Sequence, residues 1–261
     1  MDITDRNVLL TGASGGIGTA IAECLAERGA RLTLAGRNKE KLDIMASRLG
    51  GGHRTISADI ATPGGRQRLV DALAGGEPDI LINNAGTLDF GLFDEQEPDR
   101  IEAMIHLNLL APILLTRALL PALESRPEAA IVNIGSTFGS IGHPGFASYC
   151  AAKFGLRGFT EALRRELAES NIHIHYLAPR ATRTELNSHP VTAMNESLGN
   201  ATDDPATVAA ALVELIARDR GENRYMGWPE KLYVRINSLL PGLIDRALAR
   251  QLRTIRDFAR E

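Results

Sequence analysis

Tyr149 and Lys153 stand four positions apart in the run SYCAAKFGL, and Ser136 lies thirteen residues before the tyrosine. The run predicts a helix, on which side chains at i and i+4 stack on one face. A phenol and an ammonium held that way form an acid–base pair. An isolated tyrosine has a pKa of about 10, poorly matched to proton exchange near neutrality. A cation one turn away favours the phenolate, so Lys153 is expected to lower the pKa of Tyr149. Ser136 closes the apolar run AAIVNIGS, and a hydroxyl at a strand end is able to hydrogen-bond an oxygen that gains negative charge. Taken singly, such pairs and such serines are ordinary surface and turn features. Their meaning depends on whether the elements that carry them converge.

Those elements are legible as an alternation of short apolar runs and helical patterns. Strand candidates are NVLLTG (7–12), RLTLAG (31–36), HRTISAD (53–59), DILINNAG (79–86), AAIVNIGS (129–136) and IHIHYLAP (172–179). Most are continuously apolar, as parallel strands covered on both faces must be. Helical stretches such as GIGTAIAECLAERGA and PATVAAALVELIARD lie between them, and Gly29 is a good stop for the first. The expected class is α/β, a doubly wound parallel sheet between two helical layers, in a single domain over 1–261. A chain of 261 residues, 44% hydrophobic, is long enough to bury such a core. Its formal charge of −3 offers no basic field for nucleic acid. Cys24 and Cys150 fall in predicted helices and read as free thiols in a reducing compartment. With no signal peptide and no apolar run long enough for a bilayer, the expected location is the cytoplasm.

The loop TGASGGIG (11–18) follows the first strand and opens the first helix. Gly12, Gly16 and Gly18 permit a tight turn and close approach of backbone to a pyrophosphate, which the helix N-terminus attracts. A dinucleotide site is expected, and the end of the second strand indicates which one. An acid there would take a ribose 2′-hydroxyl, as NAD requires; here Gly36 is followed by Arg37, which is able to fork onto a 2′-phosphate. That points to NADP(H), with NAD(H) a possible substitute.

Together, TGASGGIG, NNAG (83–86), HLNLLAP (106–112), NIGST (133–137) and YCAAK (149–153) resemble the short-chain dehydrogenase/reductase family in order and spacing. The resemblance covers residues 6 to about 184 and, more loosely, a helix and strand to about 228. It implies a Rossmann-like fold and an NADP(H)-preferring oxidoreductase that interconverts a ketone or aldehyde and an alcohol, with Tyr149 as general acid and base. Asn108, Ser136, Tyr149 and Lys153 match the family's catalytic tetrad. Asn108 would hold a water linking Lys153 to solvent, and Lys153 would also grip the nicotinamide ribose. Gly12, Ser14, Gly16, Ile17 and Gly18 match its phosphate loop, with Arg37 as the NADP selector. Asp59 and Ile60 match residues that hold adenine, and Asn84, Ala85 and Gly86 those beside the adenine ribose. Pro179, Thr182 and Thr184 would flank the nicotinamide end, although Arg180 stands where the family has glycine. The family reaction needs no metal, and the six histidines show no ligand spacing; His173 and His175 would face one side of a strand.

The polar segment 187–205 falls where the family places a substrate lid, with Met194 and Leu198 able to line an apolar pocket. Residues 232–261 form an Arg-rich tail. After Pro241-Gly242, Ile244, Ala247, Leu248, Leu252 and Ile255 mark one helix face, and Arg246, Arg250 and Arg253 the other. Docking onto the chain's own domain or a partner subunit is the expected use of that face; peripheral attachment to an anionic membrane is the alternative. The resemblance implies a homodimer or homotetramer joined through the helices of Asn108 and Tyr149. The rival readings are a catalytically silent nucleotide sensor or scaffold and, with less support, an epimerase or dehydratase.

Overall fold

The computed structural model describes residues 1–218 and 220–260. Seven parallel strands form one sheet: β1 Asn7–Thr11, β2 Arg31–Gly36, β3 Arg54–Ser57, β4 Ile80–Asn83, β5 Ala129–Ile134, β6 Ile172–Ala178 and β7 Asn223–Tyr225. Their order is β3-β2-β1-β4-β5-β6-β7, so the winding reverses between β1 and β4. Such a reversal opens a crevice at the carboxyl ends of the strands.

The helices are α1 Gly16–Ala26, α2 Lys39–Leu49, α3 Pro63–Ala72, α4 Pro98–Ile105, α5 Ala111–Glu124, α6 Ala147–Glu166, α7 His189–Ser197, α8 Pro205–Ile216, α9 Glu230–Leu239 and α10 Pro241–Ala259. Alternate residues of each strand serve opposite layers. Leu10, Ile82 and Val132 pack with Ile21 of α1 and Leu212 of α8, while Leu9, Leu81 and Ile131 pack with Leu69 of α3 and Leu115 of α5. The fold is the expected Rossmann-like sheet flanked by helices. Local chemistry sets its joints. Gly29, at φ +77°, donates to Ala26 O (2.9 Å) and ends α1, while Thr62 and Asp204 cap α3 and α8 ahead of a proline.

Several strands are shorter than the sequence patterns predict. The run 79–86 stays in the sheet only to Asn83, because Asn84 and Ala85 turn away to hydrogen-bond the end of β1. Likewise 129–136 leaves the sheet after Ile134, and Ser136 opens a short 3-10 turn. Contrary to expectation, one helical run, Pro98–Glu124, is long and apolar enough to cross a membrane by length and composition. It arises where α4, a π turn at His106–Leu110 and α5 join end to end, and its Leu115, Leu119 and Leu123 lie buried against the sheet.

Candidate active site

Along the carboxyl edge of the sheet, a cleft of about 400 Å³ runs past the ends of β3, β2, β1 and β4. Asp59 and Ile60 line it after β3, and Arg37 after β2, exposed at the rim. Gly12, Ser14, Gly16, Ile17 and Gly18 follow β1, then Asn84, Ala85 and Gly86 after β4. Gly12 has φ +63°, and a Cβ there would lie 2.7 Å from Ala85 Cα, so conformation and space both demand glycine. Asn84 Nδ2 donates to Thr11 O (3.1 Å) and Gly12 O (3.0 Å), while Thr11 Oγ1 accepts from Asn84 N (3.0 Å). This stitching sets the floor of the crevice. No side chain caps α1 and its first turn holds no acid. Its leading N–H groups and positive dipole end are therefore free for a phosphate. These residues fit a dinucleotide.

The far end of the cleft is lined by Asn108, Tyr149, Lys153 and Thr184. Tyr149 and Lys153 lie on α6, 9% and 5% exposed. Lys153 Nζ stands 5.7 Å from the Tyr149 ring centroid and donates to Ile134 O (3.0 Å). Burial pushes the Tyr149 phenol up to about 12, with the Ser136 hydroxyl pulling the other way. Burial also brings Lys153 down to about 8. The expected lowering of Tyr149 by Lys153 is thus not met in the protein alone. Both groups are desolvated, and that cost exceeds what an ammonium beyond hydrogen-bond reach returns.

Asn108 sits 1% exposed in the π turn. Pro112 has no N–H for the Asn108 carbonyl, which removes the ordinary bond there, and Ala111 N reaches back to His106 O. The Asn108 side chain accepts from Thr87 N (2.8 Å) and donates to Thr87 O (2.7 Å). Its amide is therefore committed to backbone, leaving the main-chain carbonyl as the group able to hold a water.

A buried polar ladder aligns these elements. Asn83 Nδ2 donates to Asn133 Oδ1 (2.8 Å) and Thr116 Oγ1 (3.2 Å), and Asn133 Nδ2 donates to Thr160 Oγ1 (2.9 Å) on α6. Tyr176, fully buried on β6, reaches Ser136 and the Lys153 carbonyl with its hydroxyl (Oη to Ser136 O 3.3 Å, to Lys153 O 3.4 Å). Sequence reasoning missed Tyr176. An aromatic in an apolar strand carries no signal that its hydroxyl ends under a serine just past the end of the neighbouring strand.

A second cavity, of about 500 Å³, adjoins the cleft. Tyr149, Gly135, Ile17, Thr184 and Leu186 line both. Ser136, Pro179 and Thr182 line the second alone. Its walls are mostly apolar: Phe138, Phe146, Met194, Leu198, Ile244 and Leu248. Segment 187–205 carries α7, and α10 packs its apolar face on this wall, with Ile255 buried beside Met104, Val191 and Met194. Docking onto the chain's own domain is thus the use that face finds. Arg180, where the resemblance expects glycine, bridges Asp203 near the end of segment 187–205 (2.7 Å) and Glu230 at the start of α9 (3.2 Å). Those two acids raise its pKa. His173 and His175 do share a side of β6. His173 nears Glu128 (3.7 Å), and His175 is fully buried with both ring nitrogens unpartnered among the described residues.

Residues 6–195 match the family model for short chain dehydrogenases. The chain belongs to the short-chain dehydrogenase family. It is 38% identical over 183 residues to nodulation protein G of Rhizobium sp. (strain N33), covering 68% of this chain and 74% of that protein. It is 30% identical over 226 residues to the 3-oxoacyl-acyl-carrier-protein reductase of Vibrio cholerae, covering 82% and 91%. A solved short-chain dehydrogenase from Streptomyces avermitilis superposes with a TM-score of 0.80 at 29% identity, over 97% of each chain. As a short-chain dehydrogenase, the chain is an oxidoreductase of a family that uses NAD(P)(H).

Proposed function

We propose that this short-chain dehydrogenase is an NADP(H)-preferring reductase of apolar ketones or aldehydes, working in reverse on the alcohols. The observation that carries the proposal is the shared wall. Tyr149 alone among the proposed tetrad lines both the cleft that fits a dinucleotide and the apolar cavity, so a proton donor stands where the two compartments join. When bound, a reduced nicotinamide supplies the hydride. Tyr149, protonated at neutral pH, gives its proton to the nascent alkoxide, and Ser136 hydrogen-bonds that oxygen as charge develops. Lys153 holds the nicotinamide ribose and, as an ammonium, stabilises the phenolate left behind. The Asn108 carbonyl, released by Pro112, holds the water through which Lys153 exchanges protons with solvent.

Gly12, Ser14, Gly16, Ile17 and Gly18 bind the pyrophosphate, Asp59 and Ile60 the adenine, and Asn84, Ala85 and Gly86 the adjacent ribose. Pro179, Thr182 and Thr184 flank the nicotinamide. Arg37, exposed at the rim after β2, takes the 2′-phosphate. We further propose a cytoplasmic homodimer or homotetramer joined through α5 and α6.

NADPH oxidation over a panel of aliphatic, acyl-thioester, sugar and steroid carbonyls tests the reading. Tyr149→Phe is expected to lose about 10²–10⁴-fold in turnover with unchanged NADPH affinity. Arg37→Asp is expected to weaken NADPH about tenfold or more and to favour NADH. Tight NADPH binding without reduction of any panel member would support a silent nucleotide sensor instead.

A further inference from the structure

We infer that the corner between α9 and α10 is a docking surface for an anionic lipid bilayer. The apolar face of α10 is already spent on the chain's own domain, through Ile244 and Ile255. A second set of apolar side chains is left outward. Of ten exposed large apolar side chains among the described residues, six lie between 228 and 243. Leu239 is 79% exposed, Trp228 68%, Leu240 58% and Leu243 49%, with Leu232 and Tyr233 beside them. Scattered surface leucines need no explanation, but a contiguous patch does.

The pattern is interfacial. Leu232, Arg235 and Leu239 recur at spacings of three and four along α9, which is one stripe, with exposed Trp228 just ahead of the helix. Leu243, Arg246, Arg250 and Arg253 recur at three, four and three along α10, again one stripe, and all four are exposed. Each stripe mixes apolar and basic side chains, and the two meet at the Leu239-Leu240 turn.

Charge selects the occupant. Residues 228–261 hold seven basic and four acidic side chains, a net +3, in a chain whose total is −3. Among the described residues the ion pairs of this segment are Arg180–Glu230 and Arg260–Glu95. Arg235, Arg246, Arg250 and Arg253 therefore keep their charge for another surface. A second copy of the chain meeting this patch about a twofold axis would set arginine against arginine. Leucine and tryptophan beside uncompensated arginine instead match the acyl boundary and phosphates of an anionic leaflet. Tyr233, Ile244, Ala247 and Leu248 of the same helices line the apolar cavity, so docking here brings that cavity to the membrane. The docking itself does not depend on the proposed reaction.

The test is sedimentation of the full chain with vesicles of phosphatidylcholine, with and without phosphatidylglycerol, at low and high salt. Wild type is expected to pellet with the anionic vesicles and to be released by salt. Leu239→Glu/Leu240→Glu/Leu243→Glu is expected to bind about tenfold or more weakly, with its melting temperature and NADPH affinity retained. Arg246→Glu/Arg250→Glu/Arg253→Glu is expected to lose the preference for anionic lipid. Wild type that pellets no better with anionic vesicles than without lipid would overturn the inference, whatever the variants do. So would a leucine variant that binds as well as wild type. A wild-type dimer that the leucine variant converts to monomer would assign the patch to a second copy instead.

Discussion

Tyr149 and Lys153 owe their shifted pKa values to burial more than to each other. Lys153 at about 8 loses its charge as pH rises through that value, whereas Tyr149 at about 12 keeps its proton. Reductive kcat/KM is therefore expected to be level below pH 8 and to fall above it. A profile flat to pH 10 would mean that the Lys153 charge is not used. His175 makes a separate prediction. Burial, chiefly, brings it down to about 3 from the ordinary 6.5. Between those values the unfolded chain binds the extra proton, so folding stability must fall as pH drops below 6.5. The slope is about 1.4 kcal/mol per unit, or about 2 kcal/mol lost by pH 5. His175→Leu should remove that loss without weakening the protein at pH 7, because it also removes two unpartnered ring nitrogens. Urea midpoints at pH 7 and 5 read the difference, and an equal acid loss in the variant would exclude His175 as its source.

Between elements, Arg180 is the joint that sets this chain apart from the pattern it resembles. Asp203, near the end of segment 187–205, is stitched to the backbone just after β6 through Asp203 N to Ala181 O (2.8 Å) and Arg183 N to Asp203 O (2.9 Å). The Arg180 guanidinium adds α9 to the same knot. Arg180→Gly restores the family residue but leaves two largely buried carboxylates unpaired. It is expected to cost about 1–3 kcal/mol and to raise KM for the carbonyl severalfold, with NADPH affinity unchanged. Asp203→Asn in the same background should add less than it costs alone; full additivity in thermal unfolding would mean the two side chains are not coupled. The end of α1 was legible in Gly29, whereas the caps Thr62 and Asp204 emerged only with the structure. Where strands stop was less legible, because Asn84 leaves the sheet for a partner at the end of β1 that sits far away in sequence.

At the scale of the molecule, α6 still presents Phe154 outward, with Arg157 lying 5.7 Å over its ring. The proposed assembly through α5 and α6 would cover it. Light scattering is expected to give two or four times 28.1 kDa, and Phe154→Glu to lower that mass. A wild-type mass of 28.1 kDa would remove the assembly from the proposal. The same scale decides what the last thirty residues do. Their periodicity announces an amphipathic helix but does not name its seat, and the fold supplies one on the cavity wall.

Local spacing alone determined the parallel α/β class, the glycine turn, and the pairing of Tyr149 with Lys153 on one helical face, because each follows from a period or a turn a few residues long. Only the tertiary structure decided the rest. It put the phenol on the wall between two cavities, placed Tyr176 beneath Ser136, tied Arg180 to two distant acids and reversed the expected shift of Tyr149. All of these depend on which side chains meet across the sheet and on how much water they lose there, and neither quantity is local.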